Sequence, residues 1–305
     1  MNPNKHKWDS KSHGTKFGHN FFYFAIRFGG RKVAYFFLYF IAFNYSILFP
    51  SIIKKTNPYL KKQFPHAGFF QRAGHRYLLI LNFGRILIDR AIVGILGPQS
   101  INAAFRGYEK MKAIDSGFIL LICHAGGWQV AMSAMDVLDK QVNFLMLRDE
   151  KDIDKHYYEH NETANKINII NPDQFLGGSI EILNALKNDE VVCMMGDRIF
   201  SESERSMEMD FLKGKALFPF SAFKMSSISQ KPIVVLYSYK QGPCEYEAFI
   251  STIIHVPPKL GKHPERYRPY MEIFVNSLES FIKDHPYQFF NFFDMWHENH
   301  EEPNE

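Results

Sequence analysis

A chain of 305 residues and 35.6 kDa has room for one large domain or two small ones. Its 46% hydrophobic and 22% charged residues exclude a disordered chain, and a net charge of +4 is too mild to argue for nucleic acid. Cys123, Cys193 and Cys244 are odd in number and far apart, which excludes a disulfide framework and zinc-finger spacing and points to a reducing compartment.

The placement of charge says more than its total. Residues 1–62 hold eleven basic residues and a single acid, Asp9, so the remainder of the chain is net acidic. Such an arm suits anionic lipid headgroups or nucleic acid. The apolar run inside it favours lipid: residues 33–53 (VAYFFLYFIAFNYSILFPSII) carry no charge and are long enough to span a bilayer. Basic residues on both sides leave orientation open, and Asn44, Ser46 and Pro50 interrupt the run. A spanning helix, a helix lying in the interface, a hairpin dipping into one leaflet and a buried core helix all remain open readings. A cleaved signal peptide is not expected, because the basic stretch is too long and no small-residue cleavage site follows.

A second apolar stretch, residues 77–97 (YLLILNFGRILIDRAIVGILG), reads as a helix packed on the first. Arg85 and Asp89, four apart, share a face and are placed to pair, and Gly97-Pro98 ends the helix. The texture changes near Ile101. Short apolar runs at 118–123 (FILLIC), 142–147 (VNFLML), 167–170, 191–195 (VVCMM), 233–239 and 246–254 alternate with helix-like stretches at 128–138, 152–166, 178–187 and 218–229, and 265–284 reads as a last helix. Continuous apolar strands with helices between them predict an α/β fold: an αβα sandwich with a mostly parallel sheet, preceded by N-terminal membrane-contacting helices. The division is 1–97, a basic arm and membrane-associated helices, and 98–305, the α/β domain.

In such sheets a site lies beyond the carboxyl ends of the strands. Three predicted strands end in polar residues there: His124 with Gly126, Gly127, Trp128 and Gln129; Arg148 with Asp149; and Asp197 with Arg198. His124 is the candidate general base, and the glycines after it let the chain turn and a substrate approach. Cys123 is next to it but points to the opposite face, so no Cys–His nucleophile pair is expected. There is no G-x-S-x-G elbow, Walker loop, G-x-G-x-x-G or zincin motif.

The segment His124-Ala125-Gly126-Gly127-Trp128-Gln129 resembles the His-x4-Asp/Glu motif of the lysophospholipid acyltransferase superfamily, and in particular its bacterial lipid A late acyltransferase branch. The resemblance continues in order. Met195-Gly196-Asp197-Arg198 looks like that branch's Asp-containing turn, 210–219 (DFLKGKALFP) like its Phe-Phe-Gly-x-x-Ala block, and 286–290 (PYQFF) with Trp296 like its aromatic C-terminal signature. Trp8, Gly14 and Gly18 match its start. The resemblance implies an acyltransferase at the cytoplasmic face of a bacterial inner membrane. It would move a fatty acyl chain from acyl carrier protein or acyl-CoA to the hydroxyl or amine of a lipid-like acceptor on an anionic membrane. It implies no metal, no bound cofactor and no nucleic acid. His124 would be the base, with Gly126, Gly127, Trp128, Arg148 and Arg198 at the substrates. The expected Asp or Glu is replaced by Gln129, Ser221 stands for a usual Gly, and Lys213-Gly214 exchanges the usual order. Either Asp197 supplies the missing charge, or the chain is a catalytically silent acyl-lipid binder of the same fold.

Overall fold

The computed structural model describes residues 16–128, 140–146, 167–172, 175–199 and 206–296. The chain opens with three helices, α1 (Lys16–Leu48), α2 (Pro50–Gln63) and α3 (Phe69–Leu96). The uncharged run is thus divided between two helices that meet at 86°, the break falling where Pro50 starts α2. A further irregularity inside α1 falls at Gly30, whose φ of 66° and ψ of −172° suit a residue without Cβ. No single helix among the described residues is long and apolar enough to cross a membrane; the bent pair α1–α2 passes such a test only jointly.

α1 and α3 pack through small and aliphatic residues, with Ala34, Leu38 and Ala42 against Leu81, Ile88 and Ile92. Gly84 lets α3 approach so closely that a Cβ there would lie 2.4 Å from Leu38. The pairing expected between Arg85 and Asp89 is replaced by two others. Arg85 donates to the Tyr39 hydroxyl at 2.8 Å and lies over its ring, while Asp89 turns inward to Lys240 and Arg31. A buried, hydrogen-bonded carboxylate gains more from enclosed cations than from a partner at the surface.

The next elements are β1 (Asn102–Arg106), α4 (Tyr108–Lys112), β2 (Phe118–Ile122), β3 (Val142–Leu145), β4 (Ile167–Ile170), α5 (Ser179–Lys187) and β5 (Val191–Met195). After them come β6 (Ser206–Phe211), β7 (Gly214–Pro219), α6 (Ser221–Ser229), β8 (Ile233–Gly242), β9 (Glu245–Ile254) and α7 (Arg268–Asp284). Seven strands form one sheet in the order β1-β9-β8-β2-β5-β3-β4. β8, β2, β5, β3 and β4 run parallel, and β9 reverses against β8 and carries β1 beside it. The mostly parallel α/β sandwich is therefore present, with β6 and β7 as a separate antiparallel hairpin.

β2 is the central strand, and its five residues are all buried. Alternate residues serve two cores. Ile119 and Leu121 join Val192, Val235 and residues of α5, α6 and α7, whereas Phe118, Leu120 and Ile122 join Val191, Val234 and Leu236 on the other face. Burial on both faces is why the strand reads as an unbroken apolar run. The helices expected at 128–138 and 152–166 lie outside the described residues, save Trp128.

Candidate active site

β2 and β5 are parallel neighbours, with Ile122 opposite Met195. Gly196 donates its N–H to the Ile122 carbonyl at 2.8 Å, extending the ladder one residue past β5. The residues that follow, His124 and Asp197, are thereby brought side by side although 73 positions apart. Asp197 is fully buried and takes the His124 backbone N–H at 3.1 Å on Oδ2. The imidazole Nδ1 lies 3.0 Å from Oδ1 and 3.3 Å from Oδ2 of the same carboxylate.

An ionised carboxylate only accepts hydrogen bonds, so the proton between them belongs to Nδ1 and the lone pair to Nε2. The His124 side chain keeps 19% of its surface exposed. Burial holds the imidazole below its ordinary value; the Asp197 charge opposes this and Arg198 adds to it. For Asp197 burial alone would raise the carboxyl, but the His124 charge, the hydrogen bonds from His124 and the Arg198 charge bring it below the usual carboxylate range. At neutral pH the pair is a neutral imidazole backed by a buried anion, the electronic arrangement of a general base.

Arg198 is itself 7% exposed. It donates to the Phe290 carbonyl at 2.9 Å and lies 5.8 Å from the Phe293 ring centroid. Burial lowers its pKa to about 10, against the pull of Asp197, so it stays cationic. Cys123 is buried in the core on the opposite face from the apolar partners of Ile122, and burial, then Asp197, pushes its thiol well up. It has no thiolate to offer.

The turn after His124 is fixed from two sides. Residues 286–290 run antiparallel to it: Ala125 bridges Phe289, Gly126 donates to the Gln288 carbonyl at 2.6 Å, and Phe290 donates to the His124 carbonyl at 2.7 Å. Gly127 donates to the Ser238 carbonyl at 3.1 Å. Gly126 has φ of 57°, and a Cβ on it would lie 1.5 Å from the Ser238 oxygen; one on Gly127 would lie 2.4 Å from the Tyr246 ring. The two glycines thus make room for the protein's own strands, and both N–H groups are already engaged. Trp128 packs against the apolar cluster that holds Phe118, Leu120 and Ile122. Gln129 and Arg148 lie outside the described residues.

Sequence reasoning assigned no role to Ser238, Tyr246 or Gln288. Gln288 falls inside the aromatic PYQFF segment, which marks the strap without revealing its partner. Ser238 and Tyr246 sit in strands that read only as apolar runs. Among the described residues no group of His, Cys, Asp and Glu is arranged to hold a metal ion.

Residues 5–298 match the family described as bacterial lipid A biosynthesis acyltransferase. No curated protein matches the chain. Among solved structures, the 1-acyl-sn-glycerophosphate (LPA) acyltransferase PlsC from Thermotoga maritima is similar over 82% of this chain and 95% of its own, at 14% identity and a TM-score of 0.36. With a match that runs nearly end to end, the chain belongs to the bacterial lipid A biosynthesis acyltransferase family and is an acyltransferase.

Proposed function

We propose that the protein transfers a fatty acyl chain from an acyl thioester, on acyl carrier protein or coenzyme A, to a hydroxyl or amine of a lipid-like acceptor. The observation that carries this reading is the His124–Asp197 hydrogen bond, which spends Nδ1 and leaves Nε2 as the basic atom. Nε2 takes the acceptor's proton as its oxygen or nitrogen attacks the thioester carbonyl. The carbon–sulfur bond breaks as the tetrahedral intermediate collapses, and the imidazolium returns the proton to the departing thiolate. Asp197 stabilises the imidazolium between these steps. In this reading the charge that Gln129 lacks comes from Asp197, and the mechanism needs no carboxylate at position 129. The Arg198 charge adds to the influence of His124 in keeping Asp197 ionised.

We infer further that the reaction runs at an anionic membrane surface, on the cytoplasmic face of a bacterial inner membrane, with residues 1–97 as the docking unit. Support comes from the outer face of the helices. Phe24, Phe28, Phe36, Phe40, Phe43 and Leu48 are exposed on α1, and among the described residues Phe69 and Phe70 are the most exposed large hydrophobics, at 80% and 86%. Lys54, Lys55, Lys61 and Lys62 lie on the α2 that follows. An aromatic face beside lysines suits an interfacial helix on anionic lipid.

Mass spectrometry of membrane lipids with and without the gene tests the activity. One lipid class losing a single acyl chain, restored by the wild-type gene but not by His124→Ala, is the expected result. Identical lipids in both strains, or rescue by His124→Ala, overturns it.

A further inference from the structure

Asp89 is fully buried in α3, and its two carboxylate oxygens serve different parts of the molecule. Oδ1 accepts the Tyr35 hydroxyl at 2.6 Å and lies 3.5 Å from Arg31 Nε, both on α1. Oδ2 accepts the Tyr246 hydroxyl at 2.7 Å and the Lys240 ammonium, both from the sheet. Lys240 is nearly buried and lies 4.8 Å from the centroid of the Tyr246 ring. One carboxylate therefore ties the helix pair to β8 and β9.

Both sheet partners lead to the catalytic turn. The Tyr246 ring fills the space beside Gly127. The Lys240 backbone N–H donates to Gln288 Oε1 at 2.9 Å, and Gln288 Nε2 donates back to the Lys240 carbonyl at 3.0 Å. The Gln288 carbonyl in turn holds the Gly126 N–H. Asp89 thus reaches each of the two glycines on which the chain pivots after His124, by a separate route. Neither route touches the reacting atoms.

We propose that Asp89 is a positioning residue for acyl transfer: through Tyr246 and Lys240 it sets the turn that aims His124, while Tyr35 and Arg31 only hold the same carboxylate to α1. The proposal rests on His124 being the base. A carboxylate that merely held the helices on the sheet would make its two tyrosines equivalent, since each contributes one buried hydroxyl. A positioning carboxylate makes them unequal, because Tyr246 abuts the turn and Tyr35 does not.

The test compares Tyr246→Phe with Tyr35→Phe in the full chain in detergent micelles. Histidine is labelled with carbon-13 at Cε1, and the His124 signal is assigned from its loss in His124→Asn. Transfer is followed with palmitoyl-CoA and a total bacterial lipid extract. Tyr246→Phe is expected to move the His124 signal and to lower kcat about tenfold with KM within about twofold, as a small misplacement of a catalytic group does. Tyr35→Phe is expected to leave the signal in place and kcat within about twofold. An unmoved His124 signal in Tyr246→Phe, or equal displacement by both variants, overturns the proposal. Absence of transfer in the wild-type chain bears on the acyltransfer reading alone, since the signal comparison still decides whether Asp89 sets the turn.

Discussion

The sheet hides its aromatic residues and the helix pair displays them. Phe118, Phe218, Phe223 and Phe274 are completely buried around the strands, whereas Phe24, Phe28, Phe36 and Phe40 face outward from α1. Buried polar groups occur in both halves, with Asp197, Arg198, Ser238 and Gln288 among those of the sheet half. Between the helices and against the sheet lie Ser46, Thr56, Arg76 and Asp89, all buried, with Arg76 satisfied by Thr56, Asn57 and the Ser46 carbonyl. The sheet half is organised against water. The helical half leaves aromatic rings exposed, and its four buried polar groups each have a partner.

The largest expected effects lie where the sheet half meets the site. His124→Ala should remove transfer altogether and also lower the melting temperature, because it leaves the fully buried Asp197 without its imidazole partner. Asp197→Asn should cost roughly 10⁴ in kcat, the loss seen when an imidazole's buried anion becomes an amide. Restoration of rate by Asp197→Asn at any pH would sink the assignment.

The same amino acid should behave oppositely in the two halves. Phe274→Ala should destabilise by about 3–5 kcal/mol in urea unfolding. Replacing Phe28 and Phe40 together by Ser should leave unfolding unchanged yet weaken binding to phosphatidylglycerol vesicles by roughly 10²-fold or more, at about 1.5–3 kcal/mol per inserted ring. Vesicle binding that survives this double change places the docking surface elsewhere.

pH separates the pair more finely. The folded pKa of His124 lies below its unfolded value, so the base stays neutral, and the acid limb of kcat/KM should fall below pH 6.5. For stability the sign is that of a depressed histidine: the unfolded chain binds the proton first, so protonation favours unfolding as pH drops below the unfolded value. Asp197, also depressed, contributes stability above its unfolded value that is lost as pH falls through its folded one. Both losses run in the acid direction: the histidine's falls between pH 7 and 4, where urea titrations should show a monotonic decline, and the carboxylate's begins only below its ordinary value of 3.8. The smallest expected effect is that of Gln129→Glu. With Asp197 already against the ring, a second carboxylate should change kcat by less than about threefold.

How much was legible follows from burial. FILLIC, VVCMM and IVVLYSY announced β2, β5 and β8 because strands covered on both faces are apolar without interruption. β1 was missed because NAAFR lies at the edge and is mostly exposed. The β6–β7 hairpin was missed for another reason. Met207, Met209 and Phe211 alternate with Glu208 and Asp210 as a half-buried strand should. The two-residue turn, however, is Leu212-Lys213, with φ of 47° and 59° and no Asn-Gly or Asp-Gly signal. At the site, His124 and Asp197 could be named because each follows a strand. Their contact could not, since adjacency of β2 and β5 is a property of strand order. Asp89 carried a signal, a lone acid in an apolar helix, and i to i+4 spacing led to Arg85 when the partners came from 54 and 151 positions away.

The strap from 286 to 290 has a consequence in time. The His124 turn hangs on Gln288 and Phe290, and Phe290 is emitted by the ribosome long after the histidine it holds. At about 5–20 residues per second the interval is on the order of 10–30 s. For that interval the nascent chain carries its base but not the turn that aims it. The exposed aromatics of α1 emerge first. If α1 docks on lipid as proposed, a growing chain settles there before it is able to modify any.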